Sequence, residues 1–516
     1  MKSYNLVNGD IITLDDTLSK ANSVTIHNSK IESINKPNSQ YQSIDLNGHT
    51  VIPGFIDAHF HLKNFGKRLD MLDLKGIDSL DIIISMIKDK TNNLSPNEWL
   101  VGYGWDQNLW PDKQYPQSTI LDKISPNNPV YLTRIDGHSA WVNSAAITLT
   151  GMDNGAISKI EGGNFINGCI AIDNAMNFFR ELLPPDSKEQ TKKWIKIATQ
   201  KIIKRGITGV HDAWQDRNTI EAIKELIEEE EFPIRCYGML GSNDTDLLND
   251  FFVKGHYNSD RYCIRSVKAF IDGALGSRGA ALHDPYCDDT NNCGLILISK
   301  DDFREIADLC YRYNYQLNTH AIGDRGNSYV LDCYTKILGY NNTRRWRIEH
   351  AQMVANDDLK KFKKYNILPS MQPSHCTSDM PWLPDRIGNE RLKLISRWQS
   401  FIDQGVKIPG GSDCPIEEGN PLFEFYAAIT RQDHSGFPKG GWQPQEKINN
   451  LNALKMFTKW AAYGGFSEKK YGKIQIGFNA DLTVLSNNLL AVKSQDILDT
   501  KIKYTIVSGD VIYGNF

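Results

Sequence analysis

Through the middle of the chain, short apolar runs alternate with stretches whose apolar residues recur every three or four positions. The runs fall at 51–56, 207–212, 234–240, 264–272, 315–320, 345–350, 367–371 and 406–410. The first is apolar on both faces, which suits a strand buried in a parallel sheet. Between the runs, 188–204, 219–230, 301–313 and 356–365 carry the spacing of amphipathic helices. Repeated β-α units, eight of them, predict an α/β fold, a closed (β/α)8 TIM-like barrel.

The two ends read differently. Residues 4–34 and 472–516 look like short β segments, with turns at Val7-Asn8-Gly9-Asp10 and Ser508-Gly509-Asp510. Neither end has enough strands to bury a face alone. They are expected to form one small composite β domain, 1–50 plus 470–516, with the barrel, 51–469, set between them. One further segment breaks the rhythm. The stretch from the first strand to 207 is far longer than one β-α unit needs, and it holds strand candidates at 99–103 and 130–133. The excess, about 64–186, predicts an inserted subdomain after the first barrel strand.

Composition narrows the class. A chain of 516 residues has room for a large core, and 40% hydrophobic with 23% charged residues is ordinary for a globular protein. A net charge of −4 offers no basic footprint, so no nucleic-acid partner is expected. No apolar run approaches bilayer length, so no membrane partner is expected either. Met1 to Asp10 lacks the basic-then-apolar order of a secretory segment. Nine cysteines without a C-x-x-C pattern fit a reducing, cytoplasmic setting.

The chemistry gathers at the ends of the apolar runs. The first run leads into Asp57-Ala58-His59-Phe60-His61. On an extended strand, positions i and i+2 face the same side, so His59 and His61 can grip one cation together. Taken alone, the pair is better explained by two ordinary loop histidines. Further positions then repeat the theme: Lys268 within Val267-Lys268-Ala269-Phe270, His320 after Asn318-Thr319, His350 after Ile348-Glu349, and Asp413 after Gly411-Ser412. Each has a plain explanation by itself, a packed histidine or a helix cap. Their recurrence at strand ends points to one metal-binding mouth, where parallel barrels keep their chemistry. Lys268 is the odd member. Desolvated, it could become neutral and take up carbon dioxide as a bridging carbamate; a salt bridge to Asp272 on the same face explains it equally well.

The ordered blocks resemble the amidohydrolase superfamily, and within it family 3, which includes N-substituted formamide deformylases. They run from Asn8-Gly9-Asp10 and Pro53-Gly54-Phe55-Ile56-Asp57-Ala58-His59-Phe60-His61 through Gly102-Tyr103-Gly104-Trp105-Asp106 and Asp136-Gly137-His138-Ser139. They continue with Asp272-Gly273-Ala274-Leu275-Gly276-Ser277-Arg278, Thr319-His320-Ala321-Ile322-Gly323-Asp324, Gln372-Pro373-Ser374-His375 and Gly411-Ser412-Asp413 to Gly477-Phe478-Asn479-Ala480-Asp481. The resemblance implies that His59, His61 and Asp413 hold the more buried metal and that His320 and His350 hold a second. Carboxylated Lys268 would bridge them, and Asp413 would take the proton of the attacking water. The implied metal is zinc, one or two ions, with other divalent metals such as manganese or iron compatible with the donors. The implied assembly is a homodimer.

The activity this implies is hydrolysis of a non-peptide C–N bond, amide or N-formyl, in a small molecule through a metal-activated hydroxide. Deamination, or lactone and ester hydrolysis, could use the same site; Asp324, four residues after His320, and the presence of Lys268 lean towards amide hydrolysis. A non-catalytic scaffold should have lost ligands, and all six candidates are present. His138, Arg278 and Trp105 are candidate substrate contacts. For each the alternative is structural: a backbone-bonded loop histidine, an ion pair with Asp284, and a tryptophan that packs the insertion. His211 reads as core or a neighbour of the site, and His375 as a group that hydrogen-bonds near the pocket.

Overall fold

A computed structural model describes residues 3–515. Met1 and Lys2, at the start read above for a secretory segment, lie outside the described residues, as does Phe516 of the carboxyl-terminal β stretch. The chain divides into two compact units, Met1–Asn64 with Ala198–Phe516, and Phe65–Ile197.

In the first unit, seven strands lie in sequential order with every neighbouring pair parallel. They are Phe55–Phe60, Ile207–Gln215, Arg235–Gly241, Tyr262–Phe270, Gln316–Ala321, Arg347–His350 and Leu368–Ser370. The first is buried at every position, as a strand covered on both faces must be. Helices alternate with the strands, and several are capped by side chains. Asp216 accepts from Thr219 N at the start of Arg217–Glu228, and Ser299 from Asp302 N at the start of Lys300–Arg312.

The eighth run differs from expectation. Residues 406–410 form no strand, only an isolated bridge from Met371 to Gly410, with a second from Phe60 to Cys414 just past the run. Pro409 has no N–H to give a ladder, and two glycines follow it. The segment still closes the barrel. Gly411 N donates to Met371 O on one side (3.1 Å), while Ala58 N donates to Gly410 O and Asp413 N to His59 O on the other (2.9 and 2.7 Å).

The run 51–56 proves to be two strands. Thr50–Pro53 pairs with Leu482–Leu485 in a six-stranded sheet, and Phe55–Phe60 opens the barrel. The break falls at Gly54, where an added Cβ would lie 2.3 Å from the Thr208 side chain. Asn8-Gly9 also differs from a hairpin turn. Ser3–Val7 belongs to a four-stranded sheet and Asp10–Ile12 to the six-stranded one. At the other end, Ile502–Val507 and Asp510–Tyr513 do form a hairpin, with Ser508 and Gly509 both at positive φ (51° and 76°). Tyr4, Val24, Ile26 and Val51 share one apolar cluster with Ile474, Leu482, Val484 and Ile506.

The second unit, Phe65–Ile197, carries a six-stranded sheet that includes Leu100–Trp105 and Val130–Arg134. Trp105, Trp110 and Trp141 are fully or almost fully buried in its core. Among the described residues, no helix is long and apolar enough to cross a membrane.

Candidate functional site

Strand direction brings the predicted residues together. His59, Lys268, His320 and His350 lie at or near the carboxyl ends of the first, fourth, fifth and sixth strands. His61 follows the first strand, and Asp413 ends the closing segment. The Asp413 carboxylate is the hub: Oδ1 is 3.4 Å from His59 Nε2 and 3.1 Å from His61 Nε2. One ligand atom each from His59, His350 and Asp413 lies within 4.8 Å of the other two. His320 stacks edge-on against His350 with ring centroids 4.6 Å apart, and Lys268 Nζ is 3.5 Å from His59 Nε2. The trio therefore joins His59 and Asp413 of one ligand group implied by the sequence to His350 of the other.

Two of the imidazoles are aimed by a partner behind them. His59 Nδ1 donates to Glu349 Oε2 (2.5 Å) and His350 Nδ1 to Gln372 Oε1 (2.8 Å). The Gln372 amide nitrogen donates to Ser370 O (3.2 Å), which fixes the amide the right way round. Both rings thus turn Nε2 lone pairs towards Asp413, the pattern of metal-binding histidines held by acceptors behind them. Asp57 ties the two sides of the closure. Its carboxylate accepts from His59 N and Ser412 N (both 3.1 Å) and from Ser412 Oγ (2.6 Å). His350 and Asp413 both sit at positive φ, 73° and 55°. For His350 this is an uncommon conformation, of the kind that clusters at functional sites.

The electrostatics follow from burial against a dense set of charges. Burial, with Lys268 beside it, lowers His320 to about 3, and burial holds His350 well below the ordinary value. Burial and Lys268 also press His59 down, but the Glu349 and Asp413 carboxylates outweigh them and its net shift is upward. Burial works against ionisation of Asp413, yet the imidazoles around it hold the carboxyl well below its usual range. Burial brings Lys268 down to about 8. Lys268 makes no ion pair with Asp272 among the described residues. Asp272 is occupied by the backbone N–H groups of Ala281, Ile322 and Gly323 (2.9, 3.0 and 2.8 Å).

The other sequence candidates have partners of their own. Trp105 is fully buried in the second unit and donates its indole N–H to Leu132 O (2.7 Å). His138 is exposed there and bonds Asp173 Oδ1 (2.9 Å), a carboxylate rather than backbone. Arg278 forks onto Asp288 through Nε and Nη2 (3.1 and 3.0 Å), so its ion-pair partner is Asp288 and not Asp284. His375 comes closer, with Nε2 3.8 Å from Asp413 Oδ2.

Sequence reasoning passed over the groups behind the ligands: Asp57, Arg347, Glu349 and Gln372. The readable signal was Arg347 and Glu349 alternating on one face of a strand buried at every position, where charge demands a partner.

The closure makes one glycine indispensable. An added Cβ on Gly411 would lie 2.4 Å from His59 N and 2.8 Å from Asp57 Oδ1. Gly411→Ala is expected to push the first strand from the closing segment at a cost of about 1–3 kcal/mol. The thermal midpoint and bound metal per chain should both drop; a variant matching the parent in both would show that the closure tolerates the shift.

The amidohydrolase family model matches residues 42–513. Protein YtcJ of Bacillus subtilis (strain 168) is 30% identical over 485 residues, spanning 92% of this chain and 90% of its own. The N-substituted formamide deformylase of Arthrobacter pascens is 24% identical over 545 aligned positions, spanning 99% and 98%. Among solved structures, an uncharacterized metal-dependent hydrolase from Pyrococcus furiosus superposes with a TM-score of 0.81 at 26% identity, covering 95% of this chain and all of that one. The chain belongs to the amidohydrolase family, in its family 3 branch.

Proposed function

We propose that this protein is a metal-dependent hydrolase that cleaves a non-peptide C–N bond, an amide or N-formyl group, in a small molecule. The observation that carries the reading is the trio of His59, His350 and Asp413, whose ligand atoms lie within 4.8 Å of one another although the residues are hundreds of positions apart. The donor set fits a divalent cation. Two imidazole lone pairs and a carboxylate face one space, and the buried Nε2 of His375 beside them has no hydrogen-bond partner. Imidazole and carboxylate suit zinc, and His59, His61, His320, His350 and Asp413 would hold one or two ions, with Lys268 as a carbamate bridge. Lys268 is fully buried, and the absence of a salt bridge to Asp272 favours the carbamate over that alternative.

When bound, the metal supplies Lewis acidity, polarising a carbonyl and bringing the pKa of water to near ~7. The chain's own residues do the rest. Asp413, kept ionised by its histidines, accepts a proton at Oδ1 or Oδ2. Glu349 and Gln372 hold the two rings in the tautomer that leaves Nε2 unprotonated. Amide cleavage is favoured over deamination because the Asp324 carboxylate already accepts from His283 N and Arg325 N (3.0 and 2.9 Å), away from ring protonation. The deformylase name of the Arthrobacter pascens relative supports the N-formyl class. Nine cysteines with no disulfide among the described residues support a reducing, cytoplasmic setting.

The test is metal analysis of the purified protein followed by a screen of N-formyl and N-acyl compounds. Stripping the metal with a chelator should abolish turnover and lower the thermal midpoint, with both restored by zinc. At a thousandfold excess of metal over Kd the loss corresponds to about 4 kcal/mol. Turnover that persists in metal-free protein would end the reading.

A further inference from the structure

At the amino-terminal end of the fourth strand, a cavity of about 260 Å³ opens between Arg261, Cys263 and Arg265 on one side and Phe466, Ser467 and Lys470 on the other. Nothing in the proposed hydrolysis uses it. Arg265 is held there without a counter-charge. Its guanidinium lies 3.7 Å over the Phe466 ring, its Nε is buried with no hydrogen-bond partner, and it makes no ion pair among the described residues. Lys470, exposed at the rim, makes none either. The carboxylate in the wall, Asp260, is already engaged by Arg235 (3.3 Å) and Arg261 (3.8 Å). Two positive charges, those of Arg265 and Lys470, are therefore left over.

The strand itself is bent to produce this. Third and fourth strands pair Gly238 with Ile264 and then Met239 with Ser266. Arg265 is the unpaired residue of that slip, a β-bulge, and bulges re-aim side chains next to sites. A guanidinium fork without a partner inside a recess suits a multivalent anion, and its geometry matches phosphate. A phosphate monoester carries a charge of about −1.5 to −2 at neutral pH, which balances Arg265 and Lys470. The cavity is much larger than a phosphate group, leaving room for a carbon substituent beside Phe466 and Tyr471.

We propose that this cavity, at the opposite end of the strand from the Lys268 site, binds a small phosphate monoester between Arg265 and Lys470. Calorimetric titration of the holoenzyme with phenyl phosphate tests it, with benzoate as the probe that keeps the ring and carries one negative charge. Saturable binding of phenyl phosphate is expected, weakened about tenfold or more in both Arg265→Met and Lys470→Met, with benzoate binding more weakly than phenyl phosphate. Lys470 is exposed and unpaired, so Lys470→Met keeps the test valid should Arg265→Met fold poorly. Absence of saturable binding, binding unchanged by these substitutions, or benzoate binding as tightly as phenyl phosphate would each overturn the proposal.

Discussion

Asp413→Asn is expected to lower kcat about a thousandfold, the middle of the range for removing a general base, while leaving the fold in place. Asparagine keeps the volume of the side chain and tolerates the positive φ of 55° that this position requires, where alanine would be strained. The backbone bond that closes the barrel, Asp413 N to His59 O, does not involve the carboxylate. Loss of the charge removes the hub facing His59 and His61 at 3.4 and 3.1 Å and His375 at 3.8 Å, so bound metal should fall as well. The measurement is turnover of the best N-acyl or N-formyl compound from the screen, beside circular dichroism and metal content. Near-normal turnover in a folded variant would remove Asp413 as the proton acceptor.

What could be read from the sequence was set by periodicity. His59, His320 and His350 were visible because each closes an apolar run, and a parallel barrel sends every run's carboxyl end to the same mouth. Where periodicity is silent, the reading failed in specific ways. Pro409-Gly410-Gly411 closes the barrel through a few bonds and no ladder, so the eighth run looked like a strand and is not one. Asn8-Gly9 has the chemistry of a hairpin turn, but turn chemistry says nothing about which sheet the next strand joins.

The site divides along the same line. Ligand-type residues were legible, since histidine and aspartate at strand ends are rare enough to count. How they pair was not, because grouping His59 with His350 depends on three-dimensional register between the first and sixth strands. The contacts of Trp105 and Arg278 were also beyond reach. Each offers an apolar or charged surface that suits a partner of either kind, and sequence does not say that Leu132 O and Asp288 are the groups they bond within the chain.

The strongest stability effect is expected from the pair that lies behind His59. Arg347 and Glu349 are fully buried. Arg347 Nη2 donates to Glu349 Oε2 (3.1 Å), to Ala58 O (2.5 Å) and to Ser370 Oγ (2.6 Å), and Nη1 donates to His211 Nδ1 (3.0 Å). Nε lies 2.8 Å from Glu349 Oε1 but off-line for a hydrogen bond. One guanidinium therefore links the first, second, sixth and seventh strands inside the barrel. Burial alone would raise Glu349, but Arg347 and His59 hold it well below the ordinary value, so it enters the folded state charged. Arg347→Met takes the guanidinium from that charge in a dry interior and leaves it mainly its bond to His59, at a cost of about 3–5 kcal/mol. Glu349→Gln in the same chain removes the orphaned charge while its amide oxygen can still accept from His59 Nδ1. The double variant should therefore be more stable than Arg347→Met alone, a coupling that independent sites do not show. Thermal midpoints of the parent, both single variants and the double variant give the answer. If the double variant falls by the sum of the two single effects, Arg347 acts through its bonds to Ala58, Ser370 and His211 and not through the charge of Glu349.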